Sequence, residues 1–130
     1  MIVAGVGTRA KATADEIVAA VRDACDRAGF DIDSVRLLAG LERPETGLAM
    51  RHAAVALNIR AALFAAPRLA EEGPRCVTHS ERSMAAAGVP SVAEAAAMAA
   101  AGPDGMLFLP RIAFATVTVA LAVGPERTEP

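Results

Sequence analysis

The sequence predicts an α/β fold, a three-layer α/β/α sandwich with a mixed, mostly parallel sheet of about five strands. Three observations point there. Short apolar runs alternate with segments of helical periodicity, cap and turn residues punctuate the junctions, and the last two strand-like runs lie close enough in sequence to pair antiparallel. The 130 residues suit one core, placed at residues 1–124, with residues 125–130 as a disordered tail.

The elements follow in order. Ile2-Val3-Ala4 reads as a short buried strand that breaks into a loop at Gly5-Val6-Gly7. Thr13 and Glu16 have the spacing of a capping box, and Ile17, Val18, Val21, Ala24, Cys25 and Ala28 recur at helical spacing until Gly29. Val35 to Ala39 reads as a second strand, closed by Gly40. Pro44 and Glu45 suit a helix start, and that helix runs to Leu57, with Asn58 as its cap. A third strand covers Ile59 to Phe64, a short helix or turn covers Ala66 to Gly73, and Arg75-Cys76-Val77 reads as a minor strand or extended segment. Ser80 opens a helical turn that ends at Gly88. Val89-Pro90 forces an extended approach to Ser91, which with Glu94 forms a second capping box for an alanine-rich helix ending at Ala101. Met106 to Leu109 and Ala113 to Val123 read as the two closing strands.

Composition narrows the function. Of the 70 apolar residues 32 are alanine, so only 38 larger side chains build the interior, and the core must be tightly packed and helix-rich. The longest apolar run, Ile112 to Val123, falls short of the roughly 18 to 20 residues of a membrane span. The chain starts directly with Ile2-Val3-Ala4, without a basic region or cleavage site, and a cytoplasmic protein is expected. Cys25 and Cys76 lack metal-binding spacing, so they read as small core residues, and neither a metal nor another cofactor is expected. A net charge of −2 with 3% aromatic residues argues against nucleic acid as a partner. The basic residues are 12 arginines against the single Lys11. A codon bias is the plain account of that ratio, yet guanidinium forks also suit carboxylates and phosphates.

In open α/β sheets ligands gather beyond the carboxyl ends of the strands, which directs attention to a few loops. Gly5-Val6-Gly7-Thr8-Arg9-Ala10 formally matches a dinucleotide fingerprint, but the helix cap comes late, at Thr13, and the acid after the second strand, Glu42, lies too far along. A loop with free N–H groups, the Thr8 hydroxyl, Arg9 and Lys11 remains, which either binds an anion or makes only a tight turn. Glu42, Arg43 and Glu45 form a charged helix start that ordinary surface chemistry also explains. Thr78 to Ser83 is a polar cluster in which Ser80 caps its own helix. Arg111 ends a strand and must reach solvent or a ligand, because burying an unpaired cation is costly. Candidates for catalysis are Glu94, Ser80 and His79. No G-x-S-x-G elbow is present, His52 lies mid-helix, and His79 beside Ser80 in sequence points away from it, so a serine triad is not expected. Glu94 reads first as the reciprocal partner of Ser91, with general-base work as the other option.

Five segments taken together resemble a known family. Gly5-Val6-Gly7-Thr8-Arg9, Glu45-Thr46-Gly47-Leu48, Thr78-His79-Ser80-Glu81-Arg82, Gly88-Val89-Pro90-Ser91-Val92-Ala93-Glu94-Ala95-Ala96-Ala97 and Thr116-Val117-Thr118-Val119-Ala120 resemble the CobE/CbiG C-terminal domain family of cobalamin biosynthesis, across almost the whole chain. The segment from Gly88, preceded by Ser80-Glu81-Arg82, is the most specific. Members commonly carry a lysine near Glu42-Arg43-Pro44 and another where Arg111 stands, so this chain departs from the pattern at both places, and either Glu42 or Arg43 takes the first.

The resemblance implies work on the corrin ring, in the manner of the stand-alone CobE type. It favours a protein that binds a polycarboxylate precorrin or other corrinoid intermediate, as a carrier or accessory that hands it to pathway enzymes such as methyltransferases. A hydrolase opening a precorrin lactone, with Glu94, His79 or Ser80 assisting, is the alternative, and a nucleotide-binding domain the third. Ligand-binding residues are expected to be Gly5, Gly7, Thr8, Arg9, Lys11, Arg43, Ser80, Ser91 and Arg111.

Overall fold

The computed structural model describes residues 1–126, so the expected tail falls outside the described residues from position 127 onward. Five strands form one sheet in the order β3-β2-β1-β5-β4. They are β1 (Ile2–Thr8), β2 (Val35–Leu41), β3 (Arg60–Phe64), β4 (Met106–Ala113) and β5 (Val117–Val123). β1, β2 and β3 pair in parallel, β5 runs antiparallel to β1, and β4 runs antiparallel to β5. Four strands thus share one direction, while the pairings divide evenly between parallel and antiparallel. The cause is the closing hairpin, which docks its second strand against β1.

Helices α1 (Ala14–Ala28) and α2 (Pro44–Leu57) cover one face. Ile17, Val21, Ala24, Met50 and Ala53 meet Val6, Leu38, Val119 and Leu121 there. The opposite face carries α3 (Ala66–Ala70) and α5 (Val92–Ala101), while α4 (Glu81–Ala87) contributes no buried residue. Helix α5 is buried along its whole length from Ala93 to Ala101, and its alanines let its backbone come close to the sheet. At the crossing with β1 a Cβ on Gly5 would lie 2.6 Å from the Ala97 nitrogen, so glycine is the residue that permits this approach.

The caps at Thr13, Asn58 and Ser80 form as the sequence predicts, and Thr13 with Glu16 makes the complete capping box. Four expectations are corrected. Gly5 and Gly7 are not in a loop: β1 continues to Thr8, with Gly5 paired to Ala39 and Ala120 and Gly7 to Thr118. Likewise β2 passes through Gly40 to Leu41. Of the two alternatives for Arg75 to Val77 the strand does not form: Gly73–Arg75 is a 3-10 turn, Cys76 is extended, and the Val77 and Thr78 amides donate to the Glu94 carboxylate instead of to a ladder. Finally, β4 runs through Pro110 to Ala113. As an edge strand it tolerates the missing N–H, and its register against β5 slips by one residue before Leu109 and again before Ile112. Among the described residues no single helix is long and apolar enough to cross a membrane.

Candidate functional site

The carboxyl ends of β1, β2 and β4 and the start of β5 frame a cleft of about 520 Å³. Its floor is apolar, formed by Val6, Met50, Val92 and Val117, with Leu41 and Phe114 at the sides. Its charged lining is of one sign: Arg9, Arg43, Arg82 and Arg111 reach it, and no aspartate or glutamate does among the described residues. A lining of this kind has the chemistry to hold negative charge beside an apolar body.

Each arginine is placed by a different element. Arg43 stands at the N-cap of α2 without capping it, and its guanidinium donates to the Thr8 carbonyl oxygen at 2.6 Å and, more weakly, to the Thr46 hydroxyl at 3.4 Å. Arg9 follows β1, where its amide donates to the Thr116 carbonyl and leaves the side chain exposed. Arg82 belongs to the first turn of α4. Arg111 sits at the second register slip of β4, and its amide, outside the regular ladder, donates to Glu94 Oε2 at 2.9 Å.

Serines order the wall between them. Ser80 caps α4 by accepting from the Ser83 amide, Ser91 caps α5 by accepting from the Glu94 amide, and the Ser83 hydroxyl accepts from the Val92 amide. Two short helix starts, those of α4 and α5, thus face one space.

The structure brings Gly7, Thr8, Arg9, Arg43, Ser80, Ser91 and Arg111 together in this lining. It does not bring in Gly5, which lies beneath α5, or Lys11 and His79, which are exposed elsewhere. Glu42 is also outside the lining and pairs with Arg51 at 3.3 Å.

Glu94 departs from its expected part. Only half of the second capping box forms, because its carboxylate turns inward and accepts four hydrogen bonds, from the Val77 and Thr78 amides, the Thr78 hydroxyl and the Arg111 amide. Burial pushes its pKa up, but these donors together hold it below the ordinary 4.5. A carboxylate with its lone pairs so occupied is a poor general base.

Sequence reasoning missed Arg82, Ser83, Phe114, Thr116 and Thr118, which also line the cleft. For the first two a signal existed: residues two and three positions after an N-cap serine share its end of the helix. Thr116, just before β5, and Thr118 within it alternate in sequence, a period-two cue for a shared face.

Comparison with known proteins places these features in context. A family described as Cobalamin synthesis G C-terminus matches residues 2–122. Protein CobE from Sinorhizobium sp is 34% identical over 124 residues, covering 95% of this chain and 80% of its own length. Among solved structures, CobE, a protein from the cobalamin (vitamin B12) biosynthetic pathway, superposes with a TM-score of 0.88 at 25% identity, over 94% of this chain and 89% of that one. The cobalamin biosynthesis protein chiG from Agrobacterium tumefaciens str. C58 is 40% identical, with a TM-score of 0.71 over 97% of this chain and all of its own. A cobalamin biosynthesis protein G homolog from Sulfolobus solfataricus shares the fold alone, at 23% identity and a TM-score of 0.73, and this chain spans 36% of its length. With a family match from the first strand to the last and relatives similar over nearly its full length, the chain belongs to the CobE/CbiG C-terminal domain family of cobalamin biosynthesis proteins.

Proposed function

We propose that the protein binds a polycarboxylate corrinoid or precorrin intermediate at the cleft and serves in the cytoplasm as its carrier or as a pathway accessory. The observation that carries this reading is the lining: among the described residues, four arginines and no carboxylate surround an apolar floor. A precorrin matches that pattern, with ionised side-chain carboxylates on the rim of a largely apolar ring. Guanidinium groups on separate elements would meet carboxylates around one edge of the macrocycle, and the floor would take apolar ring surface. Binding is favoured over lactone opening because among the described residues no acid–base pair faces the cleft. Glu94 is occupied by four donors behind the wall, and His79 is exposed outside the lining. A carrier would then pass its ligand to an enzyme of the pathway, such as a methyltransferase.

Titration with hydrogenobyrinic acid and earlier precorrins, followed by absorbance, tests this. Expected is salt-sensitive binding without conversion of the spectrum, lost in the Arg9→Ala, Arg111→Ala double variant. Conversion of the spectrum would replace the carrier by an enzyme, and absence of binding would reject the ligand class.

A further inference from the structure

We infer that Glu94 is a positioning residue that sets the spacing of the cleft, tying the segment before α4 to the β4 bulge and so aiming Arg111 at the ligand. This rests on reading the cleft as an anion-binding site. Glu94 itself does not line it and touches no ligand space.

The inference starts from an unusual placement. The Glu94 side chain is fully buried and has no arginine or lysine side-chain partner among the described residues; the four donors it meets there are three backbone amides and one hydroxyl. Isolated buried carboxylates are costly, so one this completely satisfied is retained for what its donors gain. The donors lie on two chain segments that no ladder joins. Oε1 accepts from the Val77 amide at 2.8 Å and the Thr78 amide at 2.9 Å, while Oε2 accepts from the Thr78 hydroxyl at 2.6 Å and the Arg111 amide at 2.9 Å. One segment leads within two residues to Ser80 and on to Arg82, and the other carries Arg111.

The bulge explains why a clamp is needed there. Between Leu109 and Ile112 the edge strand advances three residues while β5 advances two, from Leu121 to Val119. An extra residue of that kind leaves an amide outside the ladder and redirects the neighbouring side chain. Glu94 takes the orphaned Arg111 amide, and the Arg111 side chain reaches the cleft. The other wall has few ties of its own: α4 buries no residue and, besides the packing of partly buried Ala87, joins the body through the Ser80 amide on the Pro90 carbonyl and the Val92 amide on Ser83. All four of these partners donate, two to each oxygen, so glutamine, which would turn an NH2 group toward two of these donors, cannot replace it in kind.

The test is a double-mutant cycle read by hydrogenobyrinic acid binding, with thermal unfolding confirming that each variant is folded at the assay temperature. Glu94→Gln is expected to weaken binding about tenfold or more. In that background Arg111→Ala should cost far less than in the wild type, whereas Arg9→Ala, on an element Glu94 does not hold, should cost its full amount. A purely structural Glu94 would lower the unfolding temperature and leave the cycle additive, and that result, or unchanged affinity in Glu94→Gln, would overturn the inference. Should Glu94→Gln fail to fold, Thr78→Val removes one donor of the four, and a smaller loss with the same coupling to Arg111 is expected. Should the wild type bind no hydrogenobyrinic acid, the carrier reading fails on its own. The clamp is then read from amide exchange: faster exchange at Thr78 and Arg111 in the variant supports it, and unchanged rates reject it.

Discussion

The guanidinium of Arg43 donates to the carbonyl oxygen of Thr8 at 2.6 Å, joining the N-terminus of α2 to the end of β1 across 35 residues of sequence. A cation at a helix N-terminus opposes the macrodipole, and Glu45, 3.8 Å from Arg43, offsets part of that cost. Arg43 therefore has two tasks: it closes the Thr8 carbonyl and it lends charge to the cleft.

Replacing Arg43 by alanine is expected to cost about 1.5 kcal/mol of stability, the scale of a charged hydrogen bond in a half-buried setting. Urea unfolding would measure it. Arg43→Lys should recover part of the ligand affinity through charge but not the contact with both Thr8 and Thr46, since an ammonium lacks the planar fork. Equal stability of the lysine variant and the wild type would contradict the assigned geometry.

Gly5 and Gly7 should respond differently to alanine although they are two residues apart on β1. A Cβ at Gly5 would meet backbone of α5, including the Ala97 nitrogen at 2.6 Å and the Ala97 Cβ at 2.7 Å, so the helix must move away from the sheet. A loss of about 3 kcal/mol or more is expected, at the upper end of overpacking costs. At Gly7 the close neighbour is the Thr118 hydroxyl, at 2.6 Å, which can rotate. Gly7→Ala should lose less than half as much stability in the same unfolding experiment, while adding a methyl group to the cleft lining. Equal losses would mean that α5 does not press on β1 as described.

The contrast between these glycines shows what was legible in the sequence. Caps at Thr13, Asn58, Ser80 and Ser91 were readable because their partners lie within about one helical turn. Glycine usually breaks strands, which points to a loop at Gly5 and Gly7, whereas the packing of α5 explains Gly5 inside β1 and the close Thr118 hydroxyl accompanies Gly7. Glu94 was readable as half of a cap, yet its carboxylate goes to residues 16 and 17 positions away, which local spacing does not reveal. Arg9, Arg43, Ser80 and Arg111 were found because strand ends in α/β sheets converge. Arg82 was passed over because its side chain reaches the cleft only through the orientation of α4.

Neither cysteine should behave as a reactive thiol. Burial raises the Cys25 thiol, with smaller contributions from the charges of Asp26 and Asp31, to about 11, and Cys76 is raised by burial and then by Glu94. At pH 8 the rise from 9.0 to about 11 alone cuts the Cys25 thiolate about a hundredfold, before any steric shielding. A colorimetric disulfide reagent is expected to label both residues slowly in the native protein and quickly in urea. Rapid labelling of either under native conditions would refute the burial of that residue.

Acid should unfold the protein through two carboxylates. Glu94 is held below its ordinary pKa by its four donors, and Glu72 by Arg68 and Arg75, each against the opposing effect of burial. A carboxyl group whose pKa is lower folded than unfolded contributes stability that is present above the unfolded value of 4.5 and is lost as the pH falls through the folded value. The urea midpoint should therefore be flat from pH 7 down to about 5 and fall steeply beneath that. Glu94→Gln should be less stable than wild type at pH 7, with the difference narrowing as acid protonates the wild-type group. Arg75 links Glu72 at 2.9 Å to the carbonyls of Gly102 and Gly105, so Glu72→Gln should loosen that turn and flatten the acid limb in the same way. A gap between wild type and Glu94→Gln that stays constant from pH 7 to pH 3 would show that the charge of Glu94, as opposed to its shape, contributes nothing.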